Sequence, residues 1–237
     1  MTPTMGETER FVQQMVRQIA NGELRPGTRL PTESALAEQY GITKTNVHLG
    51  VKELERLGFV KVVPRHAVYI ADLRESMTLN SLDAVFRYAD GLPPRGFVEA
   101  LLEMREMMAY GILHWMARRP PDRAQLDRLS GHITALEQAA TDGDETKIQL
   151  ALNELLYCFY LRSGNQLFPL LVRSLQFSMN RTMFYMSKFT DIQEMAAVYR
   201  AAHHHISVGD RAAATSVWSA WNERQTALFL NAAYPNE

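Results

Sequence analysis

Between Pro31 and Val63 the chain is punctuated so tightly that few folds can accommodate it. Thr32 precedes a short segment ending at Tyr40, and Gly41 follows it; Thr43 precedes a second segment running to about Leu57, and Gly58 follows that. A threonine before a helix lends its oxygen to the free N–H groups of the first turn, and a glycine just past the end takes the left-handed conformation that stops it. Glu33 in the first turn also suits the helix dipole. Only "GIT" separates the two helices so marked. Two helices joined that closely, each with a small apolar face, read as a helix-turn-helix. "FVKVV" and "AVYIAD" follow, rich in β-branched and aromatic residues, with "PRH" as the turn between them; this is a small β-hairpin, or wing. Upstream, Phe11, Val12, Met15, Val16 and Ile19 share one side of a helix over 7–21 that Gly22 stops. "RPGTRLP" is loop or extended because its prolines disfavour helix.

From about residue 75 the pattern is helical throughout, with apolar periodic segments near 78–90, 96–118, 122–140, 144–163, 166–187, 190–207 and 210–232. The breaks "GLPPRG", "RRPP", "TDGDE", "SGN" and "VGD" are turn signals. The fold expected is mainly α: a winged helix-turn-helix over 1–73, a linker and connecting helix over 74–95, and an antiparallel bundle of about seven helices over 96–237. The one cysteine, Cys158, excludes an internal disulfide framework and fits a reducing cytoplasm. No apolar run approaches the roughly 20 residues of a membrane span, and "MTPTMGETER" lacks a signal-peptide pattern. A cytoplasmic protein without a membrane partner is expected.

The net charge is −1, so any nucleic-acid binding must come from where charge is placed. Lys44, His48, Lys52 and Arg56 recur every fourth residue and fall within an arc of about 120° on the second helix, opposite Val47, Val51, Leu54 and Leu57. A solvated basic face would give this pattern, and so would a helix lying against phosphates. The short turn, the preceding helix and the wing favour DNA. Residues at the start of the second helix of such a motif read the major groove. Thr32, Ser34, Thr43, Lys44, Thr45, Asn46, His48 and Lys52, with Arg65 and His66 at the wing tip, are therefore the candidate DNA contacts.

"GELRPGTRLPTESALAEQYGITKTNVHLGVKELERLGFVKVV" resembles the winged helix-turn-helix of GntR-type bacterial regulators over about 60 residues. The departures fall at DNA-facing positions. Ser34, Lys44 and His48 stand where arginines are usual, Asn46 replaces a threonine, and Arg65 and His66 replace a glycine-rich wing tip. Lysine and histidine lack the fork with which arginine reads guanine, so an unusual operator is implied.

The helical part resembles the FCD effector domain of GntR regulators in three stretches: "LLEMREMMAYGILHWMARR" with its internal Arg105, "LYCFYLRSGNQLFPLLVRSL" and "ISVGDRAAATSVW". Most FCD domains hold a divalent metal with one Asp and three His. The matching positions here carry Leu152, Leu156, Tyr199 or Arg200, and Trp221, so no metal cofactor is expected. The run His203–His204–His205 does not restore one, because consecutive helical side chains diverge by about 100° and cannot close on a single ion. His114 and His132 are isolated. The bundle instead offers Phe159, Met179, Phe184, Trp218, Trp221 and Phe229; these residues read equally as core or as the wall of an adaptable apolar cavity. "ESMTLNSLDAVFRYADGLPPRGFVEALLEMRE" is more similar to the fatty acid regulators among these proteins, which lack the metal and bind long-chain fatty acyl-CoA, than to the metal-binding relatives. By position, that resemblance places Arg181, Trp221, Gln225 and Phe229 at or near the acyl-CoA pocket. Arg105 and Arg181 are the polar anchors available to a phosphate or carboxylate.

Three functions follow. The first is a homodimeric transcription regulator on a pseudo-palindromic double-stranded operator, responding to a lipophilic effector such as a fatty acid or acyl-CoA. The second keeps the fold but senses a small carboxylate with a bound divalent metal. The third is an enzyme, which lacks a nucleophile–base pair, a phosphate-binding glycine loop and a metal-ligand spacing.

Overall fold

The computed structural model describes residues 6–161 and 167–236, the side chains of residues 115, 117 and 118 excepted. It forms two compact units, Met1–Pro94 and Arg95–Glu237.

The first unit is built on three helices and a hairpin. Helix α1 (Glu7–Ala20) buries Phe11, Val12, Met15, Val16 and Ile19. Helix α2 (Glu33–Tyr40) starts where the Thr32 hydroxyl accepts from the Ala35 N–H at 3.2 Å and stops at Gly41 with φ 63°. Helix α3 (Lys44–Arg56) starts the same way, Thr43 accepting from Asn46 N–H at 3.2 Å, and buries Val47, Gly50, Val51 and Leu54. Helices α1 and α3 touch at Gly50: a Cβ there would lie 2.4 Å from the Phe11 ring, which is itself met edge-on by Tyr40 at 5.0 Å. The wing is β1 (Val60–Val63) antiparallel to β2 (Ala67–Ile70), with Val60 opposite Ile70. Its turn is closed by His66 N–H donating to Val63 C=O at 3.0 Å. Pro64 takes the first central place, and Arg65, at φ 63°, takes the left-handed second place that glycine usually fills. The segment read as loop or extended supplies a third short edge, where Leu30 N–H bonds Val68 C=O at 2.8 Å and Ile70 N–H bonds Thr28 C=O at 2.9 Å.

Helices α4 (Leu73–Ser76) and α5 (Leu79–Tyr88) turn back onto this unit. The Ser76 hydroxyl donates to Gly58 C=O at 2.7 Å, and the fully buried Ser81 hydroxyl donates to Leu57 C=O at 2.5 Å. These are carbonyls at the end of α3 that lack partners within the helix. Gly58 has φ 78°, and a Cβ there would stand 2.5 Å from the Ser76 carbonyl oxygen. At the far end of α5, Arg17 Nε donates to Tyr88 C=O at 2.6 Å and its guanidinium pairs with Asp90.

The second unit contains, among the described residues, seven helices: α6 (Arg95–Arg118), α7 (Arg123–Asp142), α8 (Glu145–Leu161), α9 (Leu167–Ser174), α10 (Gln176–Ser187), α11 (Ile192–Ser207) and α12 (Arg211–Ala233). The single helix expected over 166–187 is two, because Leu175 leaves helical geometry (φ −110°, ψ 10°) with its side chain fully buried. The end of the helix expected over 144–163 and the "SGN" stretch lie outside the described residues. Leu129, Ile133 and Leu136 of α7, Leu152 and Leu155 of α8, Met195 and Tyr199 of α11, and Trp218 and Trp221 of α12 form one core. Arg200 ties α11 to α7, with Nε donating to Glu137 at 3.0 Å and further donations to Ser130 at 2.7 Å and Thr134 at 2.8 Å.

Candidate functional site

Two regions carry chemistry, one in each unit. In the first, the threonine caps and the short turn fix the start of α3, leaving Thr43, Lys44 and Thr45 exposed there and Ser34 exposed on α2. Arg65 and His66 are exposed at the wing tip. Lys44 makes no ion pair among the described residues. The rest of the basic stripe is locally compensated. His48 Nδ1 lies 2.8 Å from Glu33, Lys52 lies 3.4 Å from Glu55, and Arg56 donates twice to Glu53, at 2.7 and 2.6 Å. Those hydrogen bonds from Arg56 hold the Glu53 carboxyl below the usual carboxylate range. Asn46 is half-buried and donates to Glu7 at 2.7 Å, so α1 orients its amide. Positive charge is therefore concentrated at the start of α3 and on the wing rather than spread along the helix. The expectation of an even stripe missed this because its carboxylate partners lie on α2 and on the flanks of α3 itself.

One concavity of this unit, about 740 Å³, is an open polar groove between α1, the end of α2 and residues 85–94. Its cation, Arg17, is already paired with Asp90 and the Tyr88 carbonyl, so we assign it no ligand.

In the helical unit Arg105 of α6 is 5% exposed. Its guanidinium donates to Asn222 Oδ1 of α12 and lies 3.6 Å from Met183 Sδ of α10, while Nε is buried without a partner among the described residues. Trp221 Nε1 and Thr226 Oγ1 are likewise buried without partners among the described residues. Tyr160 and Tyr199 are buried close enough to feel Arg105: burial pushes both phenols well up, and the guanidinium pulls them partly back. Beside this cluster opens a cavity of about 280 Å³, with Leu156, Tyr157 and Tyr160 of α8, Val172 and Arg173 of α9, and Met179 and Met183 of α10 in its walls. Arg173 stands at the rim, exposed, donating to the Tyr157 hydroxyl at 2.7 Å.

Of the residues expected to meet an effector, Met179 lines this cavity and Arg105 lies behind it, touching Met183. Trp218, Trp221 and the partly buried Phe159 pack in the core instead. Gln225 is buried with its amide 3.5 Å from Glu194, and Phe229 is fully buried beside Phe189. Arg181 is half-buried and does not line the cavity. Phe184 is corrected: it faces outward, 36% exposed, with Lys188 Nζ 4.4 Å from its ring centroid. Phe184 stands five residues beyond Met179 on α10, about 140° around the helix, so the two do not face one cavity. Tyr157, Tyr160 and Asn222 were missed because each gains meaning only from a partner on another helix. Among the described residues no group of three His, Cys, Asp or Glu is placed to hold a metal. Leu152 is fully buried in the core, Arg200 bonds α7, and His203 Nε2 is 3.0 Å from Leu126 C=O.

The profile of bacterial regulatory proteins of the gntR family matches residues 7–70, and that of the FCD domain matches residues 100–222. The chain is 24% identical over 206 residues to the HTH-type transcriptional regulator LutR of Bacillus subtilis, covering 83% of this chain and 89% of the relative. It is 29% identical over 185 residues to the fatty acid metabolism regulator protein of Shewanella denitrificans, covering 77% and 73%. Among solved structures it resembles Lar, described as controlling expression of the Listeria monocytogenes agr system and mediating virulence, with a TM-score of 0.58 and 17% identity over 97% of each chain.

Proposed function

The chain belongs to the gntR family of bacterial regulatory proteins, with an FCD domain behind the DNA-binding one, and from that premise we propose how it meets DNA and what it senses. It is a ligand-responsive, DNA-binding transcription regulator and not an enzyme. The start of α3 enters the major groove, with Thr45 and Asn46 toward base edges and Thr32, Ser34, Thr43, Lys44, His48 and Lys52 toward the backbone. Arg65 and His66 of the wing reach the flanking phosphates. Two copies bind a pseudo-palindrome, one half-site each, in the cytoplasm. The observation that carries this reading is the uncompensated positive charge at the N-terminus of α3, directly after the short turn.

The effector enters the helical unit. A fatty acid or fatty acyl-CoA is supported by the methionine-lined wall of Met179 and Met183 and by relatives named fatty acid metabolism regulators. A smaller carboxylate is supported by the modest cavity and the buried arginine beside it. In either case the effector lowers operator affinity only as far as it prefers one state of the protein, and the operator lowers effector affinity by the same factor. The test selects an operator from random duplex DNA with purified protein, then titrates octanoate and palmitoyl-CoA against the complex. A pseudo-palindrome released by one of them is expected. Enrichment of no sequence, or unequal couplings in the two directions, would refute the scheme.

A further inference from the structure

We propose that Arg105 holds the effector's carboxylate directly, in place of the divalent metal that an FCD domain would use. The inference rests on the effector reading above and adds the chemical class of the ligand: a monocarboxylate with a short or medium-length apolar tail.

The metal does not fit this chain. The positions matching its ligands carry Leu152, Leu156, Tyr199 or Arg200, and Trp221, and the leucines and the indole offer no lone pair to a cation. A fixed positive charge is buried in the same bundle instead. An arginine cannot shed its proton in a protein, so burial leaves Arg105 charged. Its partners are a neutral amide and a thioether, and the thioether is a weak acceptor. No carboxylate pairs with it among the described residues, and the segment 162–166, "RSGNQ", contains no Asp or Glu. A buried, unpaired charge is costly unless an anion compensates it.

The surroundings say which anion. Tyr160 belongs to the cavity wall and lies within electrostatic reach of the guanidinium. Met183 also belongs to that wall and touches the guanidinium. A carboxylate reaching past Met183 would meet the free Nε–H, with phenol hydroxyls as further donors. Its tail would lie against Leu156, Val172 and Met179. A cavity of about 280 Å³ suits a single small amphiphile and leaves no room for a nucleotide.

The test uses full-length protein freed of metal with EDTA, and follows its melting temperature with sodium octanoate, with 1-octanol (the same tail uncharged) and with sodium acetate (the charge without the tail). Octanoate is expected to raise the melting temperature without added metal, acetate to raise it less, and octanol to leave it unchanged. Arg105→Met should abolish the octanoate shift; because it also leaves the buried Asn222 Oδ1 without its donor, the shift is read against the variant's own ligand-free melting temperature. A shift that survives Arg105→Met would overturn the proposal, as would one that appears only with zinc or manganese, an equal response to octanol, or no response to octanoate. Binding of the wild-type protein to DNA from its own promoter region, in the same buffer, tests the regulator reading separately. Loss of DNA binding sinks that reading; intact DNA binding without an octanoate response sinks only the Arg105 anchor.

Discussion

Lys44→Ala and Arg56→Ala should behave differently on DNA although both residues belong to one four-residue periodicity. Each phosphate contact made by a cation contributes about 0.9 to the slope of log affinity against log salt. Lys44 makes no ion pair among the described residues and stands in the first turn of α3. The proposed dimer presents it twice, so Lys44→Ala should reduce the slope by about 1.8. Between roughly 50 and 200 mM salt that corresponds to about a tenfold smaller loss of affinity than the wild type suffers. Arg56 sits in the last turn, bonded twice to Glu53 at 2.7 and 2.6 Å, in a hollow shared with Asp83 of α5. Arg56→Ala should leave the slope within experimental scatter. Fluorescence anisotropy of a labelled operator over a salt series measures both. An Arg56→Ala slope reduced as much as that of Lys44→Ala would mean that the Glu53 pair opens on DNA and that the whole stripe lies along the backbone.

Three further outcomes are expected. Gly58→Ala adds a left-handed alanine, costing about 1–2 kcal/mol, and a Cβ 2.5 Å from Ser76 O, costing about as much again; urea unfolding should show a loss near 3 kcal/mol, and a loss under about 1 would contradict the close approach. Arg65→Gly relieves a left-handed arginine at φ 63° and should raise stability by up to about 1 kcal/mol while lowering the salt slope; reduced stability would show that the arginine side chain supports the wing. Burial raises the Tyr160 phenol above its ordinary 10.0, so its contribution is complete below pH 10 and is lost as pH rises through the folded-state value. Tyr160→Phe should therefore lose less stability than wild type above pH 10, by at most about 1.4 kcal/mol per pH unit, and parallel urea midpoints for the two proteins at alkaline pH would refute the argument.

What the sequence made legible was local. Thr32, Thr43, Gly41 and Gly58 mark α2 and α3 because caps and stops act within a turn of the backbone they serve. The bundle's breaks carry proline, glycine and aspartate for the same reason. Contacts between helices were not legible. Asn222 lies 117 residues from Arg105, and nothing in the spacing of either announces the other. Leu175 breaks a helix without a proline or glycine, so the two-helix geometry of this stretch has no local signal. Met179 lines the cavity, whereas Phe184, about 140° further around α10, is exposed.

The serine hydroxyls on Leu57 and Gly58 decide where the DNA-reading part of this chain can be cut. A fragment ending after the wing, at residue 73, would leave both carbonyls at the end of α3 without their donors and strip away the buried Val85 and Phe86. It would also lose the Tyr88 carbonyl and Asp90, which hold Arg17 of α1. The smallest piece that keeps the reading helix closed at its far end runs through α5 to the prolines at 93 and 94, so truncation, domain fusion and chimeric regulators built from this chain should be joined there.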